Sequence, residues 1–171
     1  PHRFGGRLKD DEEAIEGFIE ILKDSVKLRM RADVPVSMFL SGGIDSTLVA
    51  ALAGIKEAFT CQFAEFKDTI DEELYAQDFA DRLGIKLNVV RPTKEQFLQD
   101  LPKLAYHLEI PTGSFSVFPL YRLAKEVRAA GYKVILSGEG SDELFGGYAR
   151  NEFLMLPSFD ASDPRIKSYL A

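Results

Sequence analysis

Apolar residues recur along this chain in two alternating rhythms. From Asp10 onward, Ile15, Phe18, Ile19, Leu22, Val26 and Met30 fall at three- and four-residue intervals, so the pattern predicts a helix. Asp10 or Asp11 caps it, acids fill its first turn, and Pro35 ends it. Residues 34–40 are then expected as a short buried strand, followed by Ser41-Gly42-Gly43, with a helix rich in Ala and Leu over 45–53. The alternation repeats: a strand over 59–64, a helix over 71–83 stopped by Gly84, and a third strand over 86–91 closed by Pro92. Thr93 is the expected cap of a helix over 94–107, kinked or split at Pro102. A turn at 111–113 precedes a helix over 117–130, stopped by Gly131, and a fourth strand over 133–136. Residues 137–147 read as a Gly-rich acidic loop, and 151–171 as loop with the start of another helix.

Strands alternating with helices predict an α/β domain with a parallel sheet of at least four strands. Right-handed crossovers put helices on both faces. The 171 residues suit one domain, able to bury roughly two-thirds of its unfolded surface. With 46% hydrophobic and 28% charged residues, the chain is neither disordered, collagen-like nor a small disulfide scaffold. Lys plus Arg number 21 against 27 Asp plus Glu, a net charge of −6. That balance argues against nucleic-acid and anionic-membrane partners, and leaves room for a small anion held by local donors.

The single cysteine, Cys61, permits no intramolecular disulfide and suits a reducing compartment. It lies in an apolar strand pattern and is expected as a core thiol rather than a nucleophile. The apolar runs fall short of the ~20 residues of a membrane span, and no signal peptide opens the chain, so the cytoplasm is expected. Residues 1–9 read as a linker arm. With no Met at the start, the chain is expected to be a piece of something longer.

Two loops carry the candidate chemistry. Ser41-Gly42-Gly43-Ile44-Asp45-Ser46 joins the first strand to a helix. A helix start offers unpaired N–H groups and the positive end of a dipole. Glycines let backbone approach an anion, and Ser41 and Ser46 add hydroxyl donors, making a cradle for phosphate oxygens. The loop has no Lys, so it is not the familiar G-x-x-x-x-G-K-[ST] loop. Asp45 would repel phosphate unless a cation intervenes, which makes it a candidate Mg²⁺ ligand. The plain alternative is a Gly-rich turn with a first-turn acid.

Ser137-Gly138-Glu139-Gly140-Ser141-Asp142-Glu143 follows the fourth strand, before Leu144-Phe145-Gly146-Gly147-Tyr148. Ligands of open parallel sheets sit at the carboxyl ends of strands, near the switch in strand order. If the first and fourth strands are neighbours, both loops face one crevice. Asp45 and Asp142 then share Mg²⁺, and Ser137 and Gly138 reach a nucleoside. The plain alternative is a solvated acidic turn.

The first loop resembles the pyrophosphate loop of the ATP pyrophosphatases. The second, S-G-E-G-S-D-E-L-F-G-G-Y, is similar to the second signature of their asparagine synthetase branch. His107-Leu108-Glu109-Ile110-Pro111 and Phe118-Pro119-Leu120-Tyr121 resemble the segment joining them, so the likeness spans residues 10–150. It implies an adenine nucleotide alpha-hydrolase-like (PP-loop, Rossmann-like) fold. It also implies an activity: MgATP adenylates the side-chain carboxylate of aspartate, pyrophosphate leaves, and ammonia displaces AMP to form the amide.

By the same resemblance, Ser41, Gly42, Gly43, Asp45 and Ser46 hold pyrophosphate and its Mg²⁺. Leu40, Phe63, Ser137 and Gly138 bound the adenosine, while Glu139 and Asp142 complete the metal and acyl-adenylate site. Residues 10–150 then form the ATP-binding domain, with 151–171 beginning a helical region. An N-terminal glutaminase domain, led by a cysteine that Cys61 cannot replace, is the partner implied in the parent chain, and a homodimer is allowed for. Two departures bear on the acceptor: Ile110 and Ser114 stand where many relatives carry acids. A related amide ligase using another carboxylate, and an ATP-binding module without turnover, are the alternatives. A tRNA-modifying pyrophosphatase is disfavoured by the acidic charge. His107 is expected as a hydrogen-bonded structural residue, 118–123 as core, and 94–103 as a solvated face of mixed charge.

Overall fold

The computed structural model describes residues 11–63, 72–113, 116–148 and 151. The expected linker at 1–9 and the C-terminal region from 152 onward lie outside them, as does Ser114. The chain forms two compact units, Pro1–Ser137 and Gly138–Ala171. The first contains α1 (Asp11–Arg29), β1 (Val36–Phe39), α2 (Ile44–Ala53), β2 (Glu57–Cys61) and α3 (Glu72–Leu83). It continues with β3 (Lys86–Val90), α4 (Lys94–Leu108), α5 (Val117–Ala129) and β4 (Val134–Leu136). The second contains α6 (Ser141–Phe145).

The sheet has four parallel strands in the order β3-β2-β1-β4. The period of two along each strand divides its side chains between two cores. Met38, Leu40 and Ala58 pack with Ala50, Ile55, Ala76, Ala80 and Ile85, which places α2 and α3 over one face. Phe59 and Val90, with Phe39 and Ile135 beside them, pack against Leu123 and Val127 of α5 on the other. Burial on both faces is why these strands lack a polar-outward alternation. The α/β architecture with helices on both faces is therefore as the pattern predicts. From β1 the chain steps outward to β2 and β3, then crosses back to β4. The strand order reverses at β1 and β4, which are neighbours.

Several boundaries differ from the sequence reading. β2 begins at Glu57 and ends at Cys61, not over 59–64. Its polar first residue is paired by Lys86 Nζ at 2.7 Å, Asn88 Nδ2 at 2.8 Å and the Tyr132 hydroxyl at 2.9 Å. These bonds, led by that from Lys86, hold the Glu57 carboxyl down at about 2. Thr93 caps α4 with a full capping box, reciprocated by Gln96. The helix is not split: it runs through exposed Pro102 to Leu108.

The stretch 94–103 is not wholly solvated. Asp100 is buried, with Arg122 at 3.1 Å and Lys125 at 3.2 Å on α5. Burial pushes its carboxyl up, and the two cations outweigh that to hold it below the ordinary value. α1 touches α2 and buries Val26, while Ile15 and Ile19, in its first half, remain exposed. Of 118–123, Phe118 and Leu123 are core and Leu120 is exposed. Among the described residues, no helix is long and apolar enough to cross a membrane.

Candidate functional site

The first loop leaves the sheet where the strand order reverses, the usual place for a ligand in this architecture. Leu40 anchors it: its side chain is buried and its N–H donates to Phe59 O at 2.9 Å. Met38 pairs with Leu136, the last residue of β4, and Ser137 follows directly. Leu40, Ser41 and Ser137 thus gather at the carboxyl ends of β1 and β4.

Gly43 is the N-cap of α2, with φ −70° and ψ 160°, and offers no capping side chain. The helix start therefore keeps its electropositive character for something other than its own cap. Asp45 is exposed in that first turn.

The two serines do something the residue pattern did not suggest. Their hydroxyls face each other, Oγ to Oγ 3.0 Å. Ser46 Oγ donates to Gly43 O at 3.2 Å and accepts from Ser41 N at 3.3 Å. Gly43 N donates to Ser41 Oγ at 3.4 Å. Ser46 is buried and Ser41 exposed. The hydroxyls expected as phosphate donors are an internal staple, which holds the loop in shape before any anion arrives. The next residue, Thr47, has its Oγ1 buried without a hydrogen-bond partner among the described residues.

Gly42 also has a packing reason that the residue pattern did not show. Its φ is +79°, and a Cβ there would lie 2.6 Å from Ala76 N and 2.7 Å from Tyr75 Cβ. The missing side chain lets the loop sit directly on α3. Gly43 is roomier, with only Ser41 Oγ near its Cβ position, at 3.4 Å.

Phe63, just past β2, stacks on Phe118 with ring centroids 6.3 Å apart. Phe118 meets Phe97 edge-on at 5.0 Å, so Phe63 belongs to an aromatic cluster at the start of α5. Cys61 ends β2 half-buried and packed against the second core, and burial pushes its thiol up to about 11. A neutral thiol at physiological pH is no nucleophile. His107 is exposed, with its ring beside Tyr106 and Tyr121.

In the second unit the expected loop contains a helical turn, α6. Gly140 and Gly146 flank it in left-handed conformations, φ +97° and +70°. Gly138 and Glu139 precede it, with Glu139 exposed. Asp142 and Glu143 are its first-turn acids. Tyr148 Oη donates to Glu143 Oε1 at 2.6 Å, and Gly147 N donates to Asp142 O at 3.1 Å. The F-G-G-Y run was the available signal for this small cage, and spacing alone does not say which acid each residue serves.

Among the described residues, no three His, Cys, Asp or Glu side chains are arranged to hold a metal. Mg²⁺ is commonly held by only one or two carboxylates together with phosphate oxygens and water. Exposed Asp45 in the first turn of a helix whose N-cap offers no side chain fits a site completed by an anion and its cation.

The model of the family described as asparagine synthase matches residues 17–169. A putative glutamine-hydrolyzing asparagine synthetase of Mycobacterium bovis is 39% identical over 157 residues, covering 88% of this chain and 24% of its own length. The glutamine-hydrolyzing asparagine synthetase 1 of Bacillus subtilis is 34% identical over 169 residues, covering 94% and 26%. Amidase chry2 of Gibberella zeae is 34% identical over 166 residues, covering 86% and 25%. The chain spans about a quarter of the length of these relatives. Among solved structures, the NMN synthetase of Francisella tularensis aligns with TM-score 0.49 at 17% identity, over 82% of this chain and 59% of that one.

Proposed function

The chain belongs to the asparagine synthase family, and on that premise we propose that it is the ATP-using part of a carbon–nitrogen ligase that makes an amide from a carboxylate and ammonia. The observation that carries this reading is the stapled Ser41–Ser46 loop, opening onto the uncapped start of α2 at the reversal of strand order. A carboxylate oxygen of the acceptor attacks the α-phosphorus of ATP, the bond to the β-phosphate breaks, and pyrophosphate leaves. Ammonia then attacks the acyl carbon, and AMP departs with the carboxylate oxygen. Aspartate is the acceptor implied by the family.

Such a reaction needs charge neutralisation and alignment more than a strong base. The Gly43 turn and the first N–H groups of α2 bind the pyrophosphate. Ser41, the exposed member of the serine pair, is the hydroxyl able to swing outward to it. Ser46 stays as the buried strut, and Gly42 keeps the loop seated. Leu40, Phe63, Ser137 and Gly138 are assigned to the adenosine. Asp45 and Asp142 are the carboxylates assigned to Mg²⁺, and Glu139 and Asp142 to the reacting acyl phosphate. Bound Mg²⁺ supplies neutralisation of phosphate charge. A lone, weakly acidic cysteine suits a cytoplasmic setting.

Calorimetry with ATP and Mg²⁺ tests the site. Asp45→Asn is expected to weaken binding in Mg²⁺ about tenfold or more and to leave binding in EDTA unchanged. Indifference to Asp45→Asn removes it from the metal site. Pyrophosphate release with aspartate, against a panel of other carboxylic acids, tests the acceptor. A second acceptor has its own support, since Ile110, in place of an acid, is exposed, and relatives at similar identity are named amidases.

A further inference from the structure

Two adjacent acids of the second unit are held by two adjacent residues, each by a different means. Tyr148 holds Glu143 with a donated hydrogen bond of 2.6 Å. Gly147 acts on Asp142 by having no side chain. A Cβ on Gly147 would overlap Asp142 Oδ1 and lie 3.0 Å from Asp142 Cγ. The main chain fixes this approach, because Gly147 N donates to Asp142 O at 3.1 Å after the left-handed turn at Gly146.

Gly147 does not itself have a positive φ, unlike Gly140 and Gly146. Its backbone would therefore accept an alanine, and the obstacle to a side chain is the Asp142 carboxylate. An aspartate side chain has only two torsions. A methyl group in that space forces it into another rotamer and moves its oxygens by ångströms.

We propose that Gly147 is a positioning residue for Asp142, selecting the rotamer in which that carboxylate serves MgATP. This rests on the nucleotide-binding role of Asp142 proposed above. It assigns the second glycine of F-G-G-Y to ligand geometry, and the first to the turn.

The test is calorimetry of the full chain with ATP, in Mg²⁺ and in EDTA. It compares the unaltered chain with Gly147→Ala, Asp142→Asn and the double variant. Gly147→Ala is expected to weaken binding in Mg²⁺ by about tenfold or more, and to leave binding in EDTA unchanged. In the double variant it adds nothing to Asp142→Asn, because its whole effect passes through that carboxylate. Gly146→Ala, which strains the turn instead, multiplies with Asp142→Asn. Wild-type affinity in Gly147→Ala, or losses that multiply in its double variant, overturn the proposal.

A silent Asp142→Asn removes the carboxylate, and Gly147 with it, from the site while MgATP binding stands. No MgATP binding by the unaltered chain overturns the nucleotide reading itself. The Asp142 carboxyl ¹³C resonance gives a check that needs no variant at 147. It is expected to shift on adding MgATP, and a resonance that does not move refutes the placement even if Gly147→Ala fails to fold.

Discussion

Gly42→Ala is expected to be one of the most damaging single-methyl additions in the first unit. Two costs combine. An L-residue held at φ +79° pays for the left-handed conformation, about 1–2 kcal/mol. The new methyl also meets backbone, with Ala76 N at 2.6 Å and Tyr75 C at 2.8 Å. Those atoms lie inside α3, so relief requires the helix or the loop to shift, at about 1–3 kcal/mol. The sum is about 2–5 kcal/mol, a large share of the ~5–15 kcal/mol that holds a typical domain together.

Gly54 is the matched control. Its φ is +61°, and nothing lies within 4 Å of its Cβ position, so Gly54→Ala carries the conformational cost alone. The chain has no Trp, so urea unfolding is best followed by circular dichroism. Gly42→Ala should unfold at a midpoint about 1 M below Gly54→Ala, for a slope of about 2 kcal/mol/M. Coincident midpoints would refute the close seating of the loop on α3.

Two further predictions concern charges whose partners the residue pattern did not show. Glu57, held at about 2 chiefly by Lys86, is depressed from an ordinary 4.5, so its stabilisation is present above about pH 4.5 and lost as pH falls towards 2. The shift alone amounts to about 3 kcal/mol, reduced to about 1–2 because the Lys86 side chain is 70% exposed. The stability gap between the unaltered chain and Glu57→Gln, from urea midpoints at a series of pH values, should close over that window. A gap independent of pH would sink the assignment. Asp100→Ala leaves Arg122, whose side chain is 13% exposed, without its buried partner and should cost about 3–5 kcal/mol. Adding Arg122→Leu should recover most of that loss in the same unfolding assay; no recovery would mean that packing, not the stranded charge, sets the cost.

The order of elements was legible because each strand carries a dense apolar run and each helix a three-to-four spacing. The ends were less so. β2 starts at Glu57 because Lys86, Asn88 and Tyr132 satisfy it, and those residues are 29, 31 and 75 positions away in sequence. Asp100 looks like any surface acid until α5 folds back to place Arg122 and Lys125 beside it. α6 is a single turn, too short to show a helical period, so its glycines dominated the pattern. The loop at 41–46 was legible as a strand-to-helix turn, since strand, glycines and helix start follow one another in sequence. The pairing of Ser41 with Ser46, and the seating of Gly42, depend on φ values and on a helix some thirty residues downstream.

The glycines of the two loops are therefore not interchangeable, although a single motif description covers each pair. Gly42 is required by α3, because its Cβ would strike helix backbone. On the proposed function Gly43 serves the open end of α2, because a Ser or Asp there would cap the helix and compete for the N–H groups the anion would use. Alanine at 42 should therefore act mainly on stability. Serine at 43, where the backbone is extended and only Ser41 Oγ is close, should leave stability intact or raise it while weakening MgATP. The second loop repeats the division, with Gly146 serving the turn and Gly147 the neighbouring carboxylate. In each pair the first glycine serves the fold of the loop, and the proposed function gives the second to the ligand. Stability and nucleotide affinity should accordingly separate within each pair of adjacent residues.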